Sequence, residues 1–474
     1  MLLRILVALA VLGSAHRALA GVTDMFWQSD PAALALGGSR APAPVTERPR
    51  MAFPTSLRHC GSGQVRIDAV RQVPLTLRRG SRTVGRLDTE CKGVYMAVPL
   101  ADPAKGHGWY VGWSHLSAET DGFYVDARDE IRLRGRTNSR AIGAAYASAD
   151  GWVFGASCCD HDLTASLYGD SLDDFQDLPP GQGGVTLDLS APATTVAVER
   201  ALGDATVGLQ FAERRTEATL PVQVEHDHYL ARFDGIHRAW DGYCCLDRGR
   251  DRWFAHGSRR SVGGGRDPLG TRLAIRGREA TDVKTTTVGL GWRRRTPTAL
   301  TQLELSYENY LLDFSAWLDQ GILGGGLTGQ YRASGMADID TFALRYGRQE
   351  AHGRWQLQYG LSVLRLEFDA YGRYVDSPGV FQRPDEEFEQ IVSDGSGWLF
   401  SASVGTGYRA RDWEILATYS LHGGTLSAEA EDLLPPSPPT PPPEPPPEPP
   451  PPPHKPALRA RLGHIFAISF TRSL

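Results

Sequence analysis

The densest group of reactive side chains is Cys158-Cys159-Asp160-His161-Asp162, which places thiols, an imidazole and carboxylates within five residues. These are the side chains that bind zinc in proteins. The spacing, however, fits none of the usual zinc patterns, which require fixed separations between the ligand pairs. We therefore expect neither a metal nor another cofactor at this run, and consider disulfides the better interpretation of its cysteines.

The chain has six cysteines, an even number that favours disulfides in an exported protein. Sequence alone does not determine how they connect. We predict one bond between Cys60 and Cys91. We also predict that the two adjacent pairs are bonded to each other, the pairs being Cys158-Cys159 and Cys244-Cys245.

A hydrolytic site is the second chemistry to consider. Ser420 and His422 are two residues apart, so their side chains share a face of an extended strand, whereas Ser114 and His115 point to opposite faces. A nucleophile and its base need a third group that orients the base. Glu414 lies on the same face, but about 20 Å from Ser420 along a strand. We therefore expect no enzyme.

The remaining polar residues of interest lie on strands with period-two alternation. Between residues 398 and 421, Trp, Phe, Val, Ile, Tyr and Leu alternate with Ser, Gly, Thr and charged residues, and runs near 286–308 and 341–362 repeat this pattern. If the apolar face meets lipid, the polar face lines a lumen. The candidate lumen-lining residues are Glu304, Glu308, Arg345, Gln356, Gln358, Ser401, Ser403, Arg409 and Thr418.

Two features favour a membrane barrel over a soluble sandwich. Aromatic residues cluster beside the short connections, where Tyr408 and Trp413 flank one turn and Tyr346 and Trp355 flank another. The short connections also alternate with long ones, as in transmembrane barrels that have short periplasmic turns and long outer loops. No apolar run approaches the roughly 20 residues of a membrane-spanning helix. The net charge of −5 argues against nucleic-acid binding.

Residues 1–20 have the pattern of a secretory signal peptide. Arg4 is followed by an apolar segment and by the small-residue site Ala18-Leu19-Ala20. At the other end, the segment 461–468 reads Arg-Leu-Gly-His-Ile-Phe-Ala-Ile. It resembles the C-terminal signal of bacterial outer-membrane β-barrel proteins, although such chains usually end in Phe or Trp and this one ends in Leu474. The resemblance implies an outer-membrane location and recognition by the barrel assembly machinery.

The resulting architecture is an all-β, antiparallel up-and-down barrel of about 14 to 16 strands. Seven strands are clear between residues 281 and 472. The total is 14 strands, or 16 strands if residues 217–241 form a further pair. A smaller barrel of 8 to 12 strands behind a soluble β-rich domain is the alternative, because the run 122–134 would place Asp129 on the lipid face. We expect a flexible segment at 21–55, a short β-rich plug or periplasmic segment at 56–91, and the barrel at 92–474.

The segment 435–456 has 16 prolines in 22 residues and is expected to form a polyproline II outer loop. The best functional interpretation is a porin-like channel for small polar solutes, with outer-membrane lipid as its surroundings. The alternative is a surface structural or adhesion protein with a plugged barrel and functional outer loops. The sequence does not determine the oligomeric state.

Overall fold

The computed structural model describes residues 31–36, 50–79, 82–100, 107–125, 130–169, 184–224, 227–264, 275–321, 328–377, 386–433, 458–461 and 463–474. The predicted signal peptide, the proline-rich segment and residues 170–183 lie outside this part of the chain. No helix in the described part is long and apolar enough to span a membrane.

Within the described residues, eighteen β-segments form one antiparallel sheet that closes on itself. The first nine are β1 Gln64–Arg79, β2 Arg82–Pro99, β3 Gly108–Val125, β4 Glu130–Ala147, β5 Trp152–Gly169, β6 Gly184–Ser190, β7 Ala193–Leu202, β8 Ala205–Val224 and β9 Asp227–Arg248. The other nine are β10 Asp251–Gly264, β11 Ile275–Arg295, β12 Ala299–Gly321, β13 Thr328–His352, β14 Trp355–Ser377, β15 Glu386–Ala410, β16 Trp413–Leu433, β17 Leu458–Arg461 and β18 His464–Ser473.

The eighteen segments make sixteen barrel strands. Segments β6 and β7 both pair with β5 and β8, so together they form one interrupted strand. Segments β17 and β18 likewise form one strand, which pairs with β1 and closes the barrel. The predicted fold class, an up-and-down outer-membrane-type barrel, is confirmed with sixteen strands.

The barrel begins at Gln64 rather than at residue 92, so the expected separate segment 56–91 is wrong for most of its length. Strands β1 and β2 pair with each other and with the rest of the wall. The run 122–134 is also not one strand, because it spans the end of β3 and the start of β4. Phe123 faces outward whereas Leu133 faces inward, and Asp129 lies outside the described residues.

The outer face carries the apolar half of each alternating pattern. Ile142, Leu290 and Leu305 are more than half exposed, as expected for side chains that contact lipid rather than a protein core. Outward aromatic pairs lie beside the short turns, with ring centroids 5.1 Å apart for Trp109 and Tyr146 and 4.9 Å apart for Trp355 and Tyr408. We call this end of the barrel the short-turn end; it faces the periplasm in outer-membrane barrels.

A charged side chain on the outer apolar face should destabilise the barrel most near the middle of the bilayer and least near its surfaces. Ala402 lies in the middle of the outward face of β15, and Ser396 lies on the same face nearer the long loops; both are exposed. We expect Ala402→Arg to lower the free energy of unfolding in lipid by about 2–4 kcal/mol and Ser396→Arg by about 0–1 kcal/mol. Urea titration of protein folded in vesicles measures both values, and equal effects would contradict the assignment of this face to lipid.

Candidate functional site

Two N-terminal segments lie inside the barrel at its short-turn end. The first is the short helix α1, Pro31–Ala35, continued by Leu36, and the second is residues 50–60, which end in the 3-10 helix Pro54–Cys60. We call residues 31–36 and 50–60 the plug. Its second segment packs on β2 to β5 and β7, and its first segment packs on β14 to β16 and β18. The plug therefore contacts two separate parts of the wall.

The second plug segment rests in an apolar socket, which is unusual for a barrel lumen. Met51, Leu57 and Cys60 pack with small and aromatic wall residues, namely Tyr95, Ala97, Tyr110, Ala141, Ala145, Ala147 and Val153. Leu57 is fully buried. Burying one such side chain contributes about 1.5–3 kcal/mol, so this socket stabilises the docked plug.

Wall glycines provide the space that the plug occupies. A Cβ atom on Gly155 would lie 2.7 Å from the backbone nitrogen of Thr55, and one on Gly112 would lie 2.1 Å from the Met51 side chain. On the other side of the lumen, a Cβ on Gly347 would lie 2.7 Å from the carbonyl oxygen of Leu36. A larger residue at Gly155 or Gly347 would collide with plug backbone, which cannot move aside as a side chain can.

Hydroxyl groups of the wall bind plug carbonyls on both sides. Ser157 Oγ donates to the carbonyl of Met51 at 2.9 Å, and Ser403 Oγ donates to the carbonyl of Ala35 at 3.1 Å. Within the plug, the backbone nitrogen of Arg50 donates to Ser56 Oγ at 2.7 Å. These bonds satisfy backbone groups that have no strand partner, which short buried segments require.

A buried ion pair joins the plug to β7. Arg58 of the plug pairs with Glu199, whose side chain is fully buried, and the Tyr243 hydroxyl of β9 donates a hydrogen bond to the same carboxylate. Removing one member of a buried pair typically costs about 3–5 kcal/mol, because the other charge is left uncompensated. Loss of Arg58 would therefore leave the buried Glu199 carboxylate without the Arg58 cation.

The structure places the candidate lumen-lining residues on the inward face of their strands. Arg345 Nη1 donates to Glu304 Oε1 at 3.3 Å and to Ser306 Oγ at 2.6 Å, and Glu308 is buried on the same face of β12. His256 Nε2 lies 3.8 Å from Glu304. Acidic and basic side chains of the lumen are thus brought together by neighbouring strands.

The other candidates make amide and hydroxyl contacts or lie at the rim. Gln356 and Gln358 both hydrogen-bond to Gln349, at 3.1 and 3.2 Å. Ser401 lies 2.6 Å from Ser362, Ser403 contacts the plug, and Thr418 is buried. Arg409 is exposed near the short turn and donates to Glu414 at 2.7 Å. The wall side chains therefore bind one another as well as facing the lumen.

The predicted disulfides are wrong, since all six cysteines are free thiols. The two adjacent pairs lie on β5 and β9, which are separated by β7 and β8, so about 14 Å of sheet lies between them. A disulfide requires Cα atoms within about 7 Å. Cys91 lies four residues beyond Tyr95 on β2, or about 13 Å along the strand, whereas Cys60 packs in the socket that includes Tyr95.

The reactive run at 158–162 is divided by strand alternation. Cys159 and His161 face inward, with the sulfur 3.1 Å from His161 Nε2, whereas Cys158, Asp160 and Asp162 are exposed on the outer face. No group of three or more metal-ligating side chains occurs within the residues that the structure describes. The run therefore does not act as one cluster.

Ser420 and His422 both lie on β16, and each hydrogen-bonds to a backbone carbonyl of a neighbouring part of the wall. Ser420 Oγ donates to the carbonyl of Ala402 at 3.5 Å. His422 belongs to the inward face of β16, and its backbone nitrogen donates to the carbonyl of Gly463. Sequence reasoning also missed Arg58, Glu199 and Tyr243. The one available signal was a carboxylate among the otherwise small inward residues of β7.

No protein-family model and no curated protein matches the chain. Among solved structures, a Pseudomonas aeruginosa FadL homologue is 10% identical with a TM-score of 0.45, over 94% of this chain and 98% of that chain. The Pseudomonas putida toluene transporter TodX is 10% identical with a TM-score of 0.40, over 93% and 97%. The ferric citrate transporter FecA in its unliganded form is 7% identical with a TM-score of 0.35, over 87% and 78%. Because these sequence identities and TM-scores are so low, the substrates of these transporters are not assigned to this chain.

The Cys60 thiol should report whether the plug is docked. Burial raises the pKa of Cys60 to about 11. Because only the thiolate reacts with maleimides, docked Cys60 should label slowly at pH 8 and should gain reactivity only as the pH approaches 11. The measurement uses protein in which Cys60 is the sole cysteine. A labelling rate that already levels off near pH 9 would contradict a docked plug.

Adding one carbon at the socket should release the plug. We expect Gly155→Ala to raise the rate of Cys60 labelling at pH 8 at least tenfold, because the new Cβ collides with plug backbone while the barrel ladder is unchanged. Gly135→Ala is the matched control, since a Cβ there makes an ordinary 3.7 Å contact with Thr120. Equal labelling of the two variants would mean that the plug docks even when the space at Gly155 is filled.

Proposed function

We propose that the protein is an outer-membrane channel for small polar solutes, closed at its short-turn end by its own N-terminal plug. The observation that carries the proposal is the combination of a polar lumen wall with a separately seated plug. Sixteen-stranded barrels are wide enough to leave an aqueous passage when nothing fills them. The plug occupies the place where such a passage would meet the periplasm.

The chemistry of the wall supports small polar solutes as the cargo. Inward side chains carry both signs of charge, as in the Arg345–Glu304 pair and in the Arg66–Asp68 pair, whose Nε and Oδ2 atoms are 2.9 Å apart. Hydroxyl and amide groups occupy many of the positions between them. Water and hydrogen-bonding solutes can exchange with such groups, whereas an apolar molecule would leave them without partners.

The way the plug is held supports its movement. Barrel strands are joined by continuous backbone ladders, but the plug is joined to the wall by side-chain packing, the hydroxyl bonds of Ser157 and Ser403, and the Arg58–Glu199 pair. Segments with few backbone bonds to the rest of a protein open at lower free energy than the ladders around them. The plug can therefore leave while the barrel stays folded.

The experiment is single-channel recording in planar bilayers. Glu199→Gln removes the charge that Arg58 needs, so we expect stable conductance steps that scale with salt, where the unaltered protein stays closed for most of the recording. Glu350→Gln is the control, because it disrupts the Arg348–Glu350 pair, which lies at 2.8 Å outside the plug site. This control should conduct like the unaltered protein.

The Cys60 labelling rate shows whether the plug is docked or has left the lumen in each recorded variant. A Glu199→Gln barrel that labels fast yet remains silent would overturn the channel proposal, because the plug would have left without opening a passage. It would favour the alternative, in which the lumen stays closed without this plug and the barrel is a structural or adhesive surface protein whose outer loops carry the function.

A further inference from the structure

A group of basic side chains faces the lumen beyond the plug, on its long-loop side. His161 of β5, Arg214 of β8, His237 of β9 and Arg260 of β10 belong to the inward faces of their strands, and each is partly exposed. In the strand register Arg214 lies directly opposite His237. We call these four residues the basic patch. It lies close to the plug, because Ser157, which donates to the plug, is on the same face of β5 as His161.

Arg214 reaches across one strand to contact His161. The interrupted β6–β7 strand separates β8 from β5, yet Arg214 Nη2 lies 3.2 Å from His161 Nε2. The inward residues between them are Ala191 and Ala193, and their small side chains leave room for the long arginine side chain. The guanidinium is therefore held over the wall in the direction of β5.

This contact determines how His161 can hydrogen-bond. An arginine only donates, so Nε2 accepts and the proton of the neutral imidazole lies on Nδ1, which can donate to a ligand. Cys159 Sγ lies 3.1 Å from the same Nε2, and Ser139 Oγ lies 3.3 Å from that sulfur. Guanidinium, imidazole, thiol and hydroxyl groups therefore occur together on this part of the wall, and all of them can donate hydrogen bonds.

No Asp or Glu occupies an inward position in the stretches of wall around this contact, which are 139–143, 157–161, 191–195, 212–216 and 235–239. Asp160 and Glu213 lie within these stretches but face outward. The nearest inward carboxylate along these strands is Asp241, which lies nearer the short turns and accepts a hydrogen bond from Gln210 Nε2 at 3.3 Å. The basic patch thus differs from the part of the lumen near the Arg345–Glu304 pair, where both signs of charge meet.

We propose that the basic patch is a binding site for small oxyanions, the class that includes phosphate, sulfate and carboxylates, and that the solutes of the channel are therefore anionic. This inference rests on the proposed function, because it names the class of solute that the lumen takes up. The planar fork of Arg214 can bind two oxygens of an oxyanion at once, and His161 and Ser139 supply further donors beside it. His237 and Arg260 add positive potential, which attracts anions into this part of the lumen.

A soft metal ion is the other ligand that Cys159 and His161 could bind together. These two side chains provide one thiol and one imidazole, and no group of three metal-ligating side chains occurs in the described part of the chain. Arg214 donates to the lone pair of His161 that a metal would need, and its charge repels a cation. The contacts of the basic patch therefore favour an anion.

The test is equilibrium dialysis of the full chain, folded in detergent, against radiolabelled inorganic phosphate at constant ionic strength. We expect saturable binding, and we expect Arg214→Gln to weaken the affinity about tenfold or more, because charge-assisted hydrogen bonds are lost. Arg214→Lys should retain part of the affinity, since it keeps the charge but loses the fork. Arg409→Gln is the control: Arg409 lies at the short-turn rim, where it donates to Glu414, and its loss should leave phosphate binding unchanged.

The Cys159 thiol shows where the phosphate binds. In protein in which Cys159 is the sole cysteine, phosphate should slow the reaction with N-ethylmaleimide, because the thiol lies beside His161. Cys91 lies on the inward face of β2, away from the basic patch, so protein with Cys91 alone should react at a rate that phosphate does not change. Equal protection of both thiols would place the phosphate elsewhere in the lumen and would overturn the proposal.

Conductance recordings separate this site from the channel itself. A Glu199→Gln barrel that conducts but binds no phosphate would overturn the oxyanion site and leave the channel proposal intact. A barrel that binds phosphate through Arg214 yet never conducts would support the site and overturn the channel. Equal phosphate affinity of Arg214→Gln and the unaltered protein would also overturn the site, and tight binding of Ag⁺ by the protein with Cys159 alone, in place of phosphate, would assign it to soft cations.

Discussion

The closed backbone ladder is the constraint on which this structure depends. A chain that crosses a bilayer must satisfy every peptide group internally, and strands can do so only when the sheet has no free edge. Here the pairing of β1 with β17 and β18 removes the last edge. Once the ladder is closed, each strand has one face toward lipid and one toward the lumen, so the period-two pattern determines what each environment contacts.

The plug follows a different physical rule from the barrel. Its position is specified by shape and by isolated polar contacts, since wall glycines leave space for its backbone and Glu199 balances Arg58. A structure held in this way can be lost without loss of the ladder, whereas a strand cannot be removed from a closed barrel. The difference allows one chain to contain both a permanent membrane wall and a removable barrier.

The sequence predicts the barrel well where both faces follow the simple pattern. The seven strands expected between residues 281 and 472 are all present, because their outward faces are apolar for most of the bilayer. Strand β1 and the first part of β2 were not assigned to the barrel, since the outward face of β2 is charged at Asp88, Glu90 and Lys92, which leaves too short an apolar signal. The plug was placed only roughly, because its partners Gly155 and Glu199 are far from it in sequence. The disulfides failed because the two adjacent cysteine pairs lie on β5 and β9, which are separated by two other strands, and the sequence alone does not give that separation.

The two departures from the simple pattern occur on the same strands. On β2 to β4, inward residues near the short turns are apolar and receive the plug, while outward residues nearer the long loops are charged. The usual polarity of a barrel wall, apolar outside and polar inside, is thus partly reversed here. The apolar inward face of this wall is covered by the plug, which buries Leu57 and Met51 there. Loss of the plug would expose these apolar side chains to the lumen, so the same strands that form the membrane wall also favour the docked state.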